Sequence, residues 1–554
     1  NEGLCYQLGA ELGKLDEALQ SFTDARATRD LKWDLRQSNW IEAHLDAIDD
    51  PTTQAVIVEV HDHFLSLAPA LESVRQGVIH NDANDYNVLV QEHGQTRSVG
   101  LIDLGDLCKT AVIGDVAIAA TYAAMHLPDP LAAVDAVVRG FHASMPLTDA
   151  EVALVLPLIE TRLAVSITNA AVRQRTRPGD PYVTISQGGA IKLLRFLHGR
   201  DFEVAAARLR AVCGLPAKPS FAHIAEFLAN NGRPDNQLLT TAGRIEDAIV
   251  LDLSFGSTTG GDDPTKFNAA QAAERIRDQM CAAGTDLAIG RYAEPRPIYS
   301  GRAFGDDRPN GNRRTVHLGI DVFAPAGTQV SAPLASVVHD TEVCEDHLDY
   351  GGLVILRHQL PDGTTFGTLY GHLDPDSFAE LCPGQELDAG EPFAELGAPE
   401  VNGGWPPHLH LQALAADPRD LPEVPRGVAD PDDMAAHRQV YPDPSSLLGL
   451  TDHRAAYSDD TESLQADRQQ SFPQNLKTSY EHPIALVRGI RHFVFDSQGR
   501  KYLDAYNNVP HVGHCHPHVT RAVQEQTALL ATNTRYLHVH MQRYAERLRA
   551  MLPE

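Results

Sequence analysis

The chain has 554 residues, room for three to four domains at roughly 150 residues each. Its 74 acidic against 46 basic side chains leave a formal charge of −28, which repels phosphate backbones and anionic lipid and excludes nucleic-acid or membrane-surface binding as the main role. At 43% hydrophobic and 22% charged residues the composition is that of globular protein with several cores, and no apolar run reaches the ~18 residues of a membrane span.

Residues 1–80 predict helices, with Leu8, Leu12, Leu15 and Leu19 on one apolar stripe. Across 77–104 the period shortens, and two strand-like runs flank a loop rich in Asn and Asp. Helical rhythm returns from 115 to about 213, broken by a turn at RTRPGDPY (175–182). Residues 214–286 read as a mixed connecting region. It carries breaks at Pro216, Pro219, Asn230–Gly232 and Pro234, a strand in AIVLDLSF (248–255) and a helix near 268–283. Within it, GSTTGGDD lacks the G-K-[ST] ending of a phosphate cradle and reads as a plain loop. Residues 287–445 switch to short strands with Gly and Pro turns and almost no helix, the pattern of an antiparallel β domain. A polar, acid-rich linker is expected over 446–475. A new unit begins at 476–554, with a hairpin around DSQGR (496–500) and a helix from about 517.

The seven cysteines are scattered and include no C-x-x-C, which argues against a disulfide scaffold or thiolate zinc site and fits a reducing, cytoplasmic compartment. The chain opens on Asn1 with no charged-then-apolar leader, so a piece of a longer polypeptide without a signal peptide is expected.

The densest chemistry lies in the β region: His317 and Asp321 in HLGID, His372 in LYGHL, and His408 with His410 in PHLHL. On a strand, His408 and His410 share one face, while Leu409 and Leu411 face the core. Two such imidazoles can divide labour, one binding a metal and the other handling its water. His317 and Asp321 add a nitrogen and an oxygen ligand. Two His and one carboxylate with a fourth position open is the pattern of catalytic zinc. Among 26 histidines some H-x-H pairs arise by chance, and His538/His540 is read so. The ordered set HLGID, APAGTQV, GGLVILRH, YGHL and PHLH resembles the lysostaphin-type zinc endopeptidases. The resemblance implies that His317, Asp321 and His410 hold zinc, that His372 and His408 are catalytic, and that the reaction is peptide-bond hydrolysis. His358, closing GGLVILRH, falls near that family's site without an assigned role.

IHNDANDYNVLV followed by GLIDLGD resembles the catalytic loop of aminoglycoside phosphotransferase-like kinases, nearest to hydroxylysine and amino-alcohol kinases. The resemblance implies Asp82 as base, Asn87 and Asp103 as magnesium ligands for Mg-ATP, and His80 as a brace, with Asn81 standing where the family usually has glycine. Only 79 residues precede His80, so residues 1–213 are expected to be a kinase C-lobe without its N-lobe. Residues 476–554, with NNVPHVGHCHP and TNTRYLH, resemble the opening of class III pyridoxal-phosphate aminotransferases and phospho-lyases. In that light HCHPH (514–518) is a turn into a helix rather than a metal tract, and the Schiff-base Lys lies outside the chain.

The fold class expected is therefore multidomain: a mostly α kinase-like C-lobe (1–213), an antiparallel β metallopeptidase-like domain (287–445), and a truncated α/β fold-type I PLP-enzyme N-terminus (476–554). Expected partners are a peptide substrate for the central domain and a small amino alcohol for the parent protein, with no nucleic acid, no membrane and a homo-oligomer formed through the PLP part. Fusion would raise the local concentration of a phosphorylated intermediate between kinase and lyase. The alternative reading makes the β domain a non-catalytic spacer or docking module in a parent that phosphorylates an amino alcohol and then eliminates or transaminates it. Antibiotic phosphorylation is a third.

Overall fold

The computed structural model describes residues 2–93, 96–125, 127–177, 187–230, 238–241, 243–261, 268–300, 314–421, 427–450, 453–459, 461–473, 475–476, 478, 480, 483–506 and 511–553. The expected features at 175–182, 230–234, 256–264 and 507–517 fall partly outside them.

The first region is a helical body. Helix Pro51–Ser73 starts where the Asp50 carboxylate accepts from the Thr53 amide at 2.9 Å, with Pro51 in the first turn. Helix Asp149–Thr176 opens on a capping box between Thr148 and Glu151. It is buried along most of its length and packs against helices Pro51–Ser73, Ile113–Met125, Gln187–Leu197 and Phe202–Val212. Helices Glu2–Leu19 and Pro130–Ser144 touch backbone to backbone because both present glycine. A Cβ at Gly9 would lie 2.0 Å from the Val137 carbonyl oxygen, and one at Gly140 2.0 Å from that of Tyr6. Strand β1 (Gln76–Ile79) feeds the Asn- and Asp-rich loop, β2 (Val88–His93) and β3 (Thr96–Leu101) form a hairpin, and β4 (Cys108–Ala111) returns antiparallel to β1.

The second region is built on strands β5 (Ile249–Leu251), β6 (Ala288–Gly290), β7 (Val316–His317), β8 (Ile320–Phe323), β9 (Gln329–Ser331), β10 (Ser336–Cys344), β11 (Gly351–Gln359), β12 (Thr365–Leu373), β13 (Glu386–Leu387), β14 (Pro392–Glu395), β15 (His408–Leu414) and β16 (Val428–Ala429). Eight of them form one sheet, in the order β13-β10-β11-β12-β15-β8-β6-β5, antiparallel except for the β5–β6 pair. Every residue of β15 is buried, so both faces of the sheet are covered there.

The stretch expected to connect the two regions is instead part of this second core. Helix Pro219–Asn230 lays Phe221, Ile224 and Leu228 on it, and β5 is the sheet's edge strand. An apolar stripe at helical spacing looks the same in sequence whichever core it serves. Helix Phe202–Val212 is shared: Val204 and Ala207 belong to the β core and Leu209 to the α core. Arg208 on that helix bridges Asp135 of the first region (2.8 Å) and Asp433 of the second. In the expected linker, Leu447, Leu448, Leu450 and Ala455 also join the β core, whereas helix Thr461–Ser471 buries nothing.

The third region holds the antiparallel sheet β17 (Leu486–Ile490), β18 (Phe493–Asp496) and β19 (Lys501–Leu503), followed by helices Pro517–Leu529 and Val539–Met551, neither of which buries a residue. Its hairpin docks on the second region. Phe495 stacks on Phe255 at 4.5 Å, and Thr315 donates to the Gly499 carbonyl at 3.2 Å.

Candidate metal centre

Strand register gathers the central histidines. His410 of β15 stands opposite Asp321 of β8 and opposite Gly371 of β12. Gly319, between His317 and Asp321, permits this approach, since a Cβ there would lie 2.7 Å from the His410 ring. His317 Nε2 lies 2.9 Å from His410 Nδ1 and 3.1 Å from Asp321 Oδ1, and His410 Nδ1 lies 3.2 Å from the same oxygen. Among the described residues these three form the only such group spaced to hold a metal ion. His408 Nε2 is 3.7 Å from Asp321 Oδ1, and the His372 and His408 rings sit 4.2 Å apart.

Each imidazole is oriented by an oxygen behind it. His317 Nδ1 donates to the Arg291 carbonyl (3.1 Å), His372 Nδ1 to that of Asn402 (3.0 Å), His408 Nδ1 to that of Pro406 (2.6 Å), and His410 Nε2 to Gln412 Oε1 (3.2 Å). These partners assign the tautomers and leave a bare nitrogen on all four rings. Two imidazole nitrogens at 2.9 Å, beside a carboxylate oxygen, bring three potential ligand atoms together.

His372 holds its place at φ +65°, a left-handed conformation rare outside glycine, fixed by its amide donating to the Tyr350 carbonyl at 2.8 Å. Asp321 is anchored from behind: Arg296 Nη1 donates to its Oδ2 at 2.6 Å, while Arg296 Nε reaches Glu294 at 2.9 Å. Burial and then the Arg296 charge push His317 down to about 3. Burial alone would raise Asp321, but His317 and Arg296 outweigh it and hold its carboxyl well below the usual range. Burial also lowers His372 and His408, so both rings are neutral at neutral pH. His358 is engaged elsewhere, bonded to Thr368 at 2.8 Å and the Ala335 carbonyl at 3.2 Å.

The cluster opens on a solvent-open pocket also lined by Trp405, Tyr299, Leu253, Thr259, Ala272 and Ile276. Sequence reading did not find Arg296, Glu294, Tyr299 or Trp405. EPRP (294–297) carries no periodicity or spacing that ties it to HLGID, and only the fold brings Arg296 to Asp321.

In the first region, Asn87 Nδ2 donates to the Asp82 carboxylate (3.0 Å) and carbonyl (2.9 Å), and Arg162 Nη2 donates to Asp82 Oδ1 at 3.0 Å. Burial raises Asp82, with Arg162 opposing. His80 braces the loop, its Nε2 donating to the Ile102 carbonyl at 3.0 Å. The buried Asp115, unremarked in the sequence as a loop anchor, accepts the His80 and Asn81 amides at 2.8 and 2.6 Å. Asn81 takes φ +65°, which explains why glycine suits that position. Asp103, at φ +63°, accepts from the Gly105 amide at 3.1 Å. The neighbouring Ile102 amide donates to the Asn87 carbonyl at 3.0 Å. Elsewhere, His514 pairs with Asp504 at 2.7 Å, and His538 caps the last helix by accepting the His540 amide.

Comparison with known proteins matches residues 1–150 to the phosphotransferase enzyme family and residues 315–419 to peptidase family M23. "Hydroxylysine kinase" of Xenopus laevis is 27% identical over 175 residues, 30% of this chain and 47% of the relative. "Alanine--glyoxylate aminotransferase 2-like" of Drosophila melanogaster is 47% identical over 72 residues, 13% of this chain and 15% of the relative. The chain thus spans less than half the length of either. The catalytic domain of lysostaphin from Staphylococcus simulans is 22% identical, with 24% of this chain and 87% of that one covered and a TM-score of 0.17. The chain joins a phosphotransferase-type region, an M23-type peptidase region and a short class III aminotransferase-like segment.

Proposed function

We propose that the second region is a zinc-dependent hydrolase of peptide or amide bonds, with His317, Asp321 and His410 holding the cation and His372 and His408 acting on the reacting groups. The observation that carries this reading is the convergence of three bare donor atoms, two imidazole nitrogens and one carboxylate oxygen, at 2.9 to 3.2 Å from one another. Ligand atoms bonded at about 2.0–2.1 Å in a tetrahedron stand about 3.3 Å apart, so the donor set suits zinc with one position open. When bound, the ion supplies Lewis acidity to a carbonyl and acidifies water.

The chain's own groups do the rest. The bare nitrogen of His372 or His408 accepts the proton of an attacking water, and the resulting imidazolium can hand it to the departing amine. The other ring, neutral and with its N–H already spent, offers its bare nitrogen as a hydrogen-bond acceptor that orients the attacking water. Arg296 keeps Asp321 ionised and turned so that Oδ1 faces the histidines.

For the first region the reading is a small-molecule kinase part, with Asp82 as base and Asn87 and Asp103 as magnesium ligands in a parent using Mg-ATP on an amino alcohol. Asn87 spends its amide N–H groups on Asp82, which frees its Oδ1 for a cation. Within 476–554 no residue is assigned to pyridoxal phosphate, which belongs to a parent aminotransferase or phospho-lyase, homo-oligomeric through that part. A cytoplasmic setting follows from these two cofactors. Among the described residues, no helix is long and apolar enough to cross a membrane.

Metal analysis of the whole chain tests the central assignment. About one zinc per chain is expected, together with cleavage of a mixed peptide pool, and both are lost in His317→Ala. A metal-free, inert chain would leave the second region as a spacer between two enzymes.

A further inference from the structure

The pocket beside the metal cluster has two chemistries. Thr259, Arg296, Tyr299, Asp321 and the three histidines His372, His408 and His410 bring polar atoms to it, and Leu253, Ala272, Ile276, Phe323, Pro297 and Ile298 an apolar lining. Five of these six apolar residues lie outside 315–419, the span that matches the M23 peptidases. They come from the loop after β5, from one face of helix Ala269–Ala283, where Ala272 and Ile276 are four apart, and from the segment before β7. Phe323 ties the two linings together, since it lines the pocket and stacks on His408 at 5.0 Å.

The wall is held in place. Phe255 stacks on Phe495, and Arg488 donates to the Ser257 carbonyl at 2.6 Å and the Gly261 carbonyl at 3.0 Å. The charged groups at this pocket, Arg296 and Asp321, already bond each other. Among the described residues, the lining therefore carries no charge beyond that pair with which to recognise an ionic group.

Resting on the hydrolase reading above, we infer that this lining is a subsite for a branched or aromatic apolar side chain next to the bond cleaved. The chain would then discriminate against glycine-rich and acidic peptides at that position. Burying a leucine-sized side chain favours it over glycine by about tenfold to a hundredfold. The occupant is a substrate side chain because the apolar lining is continuous with the residues that would perform the cleavage.

The test uses the zinc-loaded whole chain with N-acetyl-leucinamide and N-acetyl-glycinamide, binding being read from the emission of Trp405 at the pocket. A set of internally quenched peptides carrying Leu, Phe, Gly or Asp at one position beside the scissile bond is cleaved in parallel. The leucine probe is expected to bind at least tenfold tighter than the glycine probe. Ile276→Asp and Leu253→Asp should bring that ratio near one with zinc content unchanged. The milder pair Ile276→Ala and Leu253→Ala should lower it part of the way, and serves if the aspartate variants do not fold. Equal binding of the two probes, or a preference unaltered in the alanine pair, overturns the subsite. Preference without cleavage of any peptide supports the subsite and overturns the hydrolase reading. Cleavage without preference does the reverse.

Discussion

The two candidate sites of this chain are built on opposite principles. In the first region the Asp82 carboxylate is already satisfied from within, by Arg162 on one oxygen and Asn87 on the other. In the second, four imidazoles spend their N–H groups outward on oxygens, and the bare nitrogens of His317 and His410 converge with Asp321. A loop whose acid is neutralised by the chain itself is stable as it stands. A cluster of facing lone pairs is stabilised by something positive placed among them. The lesson is that hydrogen bonds on the far side of a ring say as much about a ligand set as the ring positions do.

The largest expected effect separates the two sites outright. His317→Ala or Asp321→Ala should abolish zinc binding, measured by metal analysis, whereas Asp82→Asn should leave zinc content at that of the unaltered chain. Loss of zinc in the Asp82 variant would break the distinction.

Next in size is Arg296→Met, which leaves the Glu294 and Asp321 carboxylates buried together without their shared cation. A loss of about 3–5 kcal/mol in urea unfolding is expected, with zinc affinity weakened about 10–100-fold.

Acidity sharpens the comparison further. Burial pushes His358 down to about 4. Above its unfolded value of about 6.5 the ring is neutral in both states and contributes nothing. As the pH falls from there toward 4, the unfolded chain takes a proton that the native state refuses, so stability drops by up to roughly 3 kcal/mol and then levels. His358→Gln should flatten that slope in unfolding measured between pH 7 and 4. The first region carries the opposite sign. Burial and then the neighbouring Asp115 push Asp16 well above the usual carboxylate range. Its stabilising contribution is complete below the unfolded value of about 3.9 and is lost as pH rises through the folded value. Asp16→Asn should therefore raise stability near neutral pH, by about 1 kcal/mol or more, the smallest effect of the series.

The site was legible in sequence as far as strand geometry reaches. H-x-H on a strand places two rings on one face, and HLGID supplies its own clearance through Gly319. What could not be read was everything fixed by distant contact. Arg296 lies 25 residues before Asp321 and meets it only because the β6–β8 pairing folds that segment back. The packing of 214–286 was hidden for a related reason. Phe221, Ile224 and Leu228 form the same kind of stripe as the helices before them, and nothing local says which core they cover. The brace on His80 was legible, whereas its anchor Asp115 was not, because an acid at the start of an apolar helix reads as a dipole partner before it reads as a clamp.

Helix Phe202–Val212 has one flank in each core and a guanidinium reaching into both. Neither half can then loosen without disturbing the other. Heating should melt the helical body and the sheet in one calorimetric transition, and cutting the chain near position 213 should lower the melting temperature of both pieces.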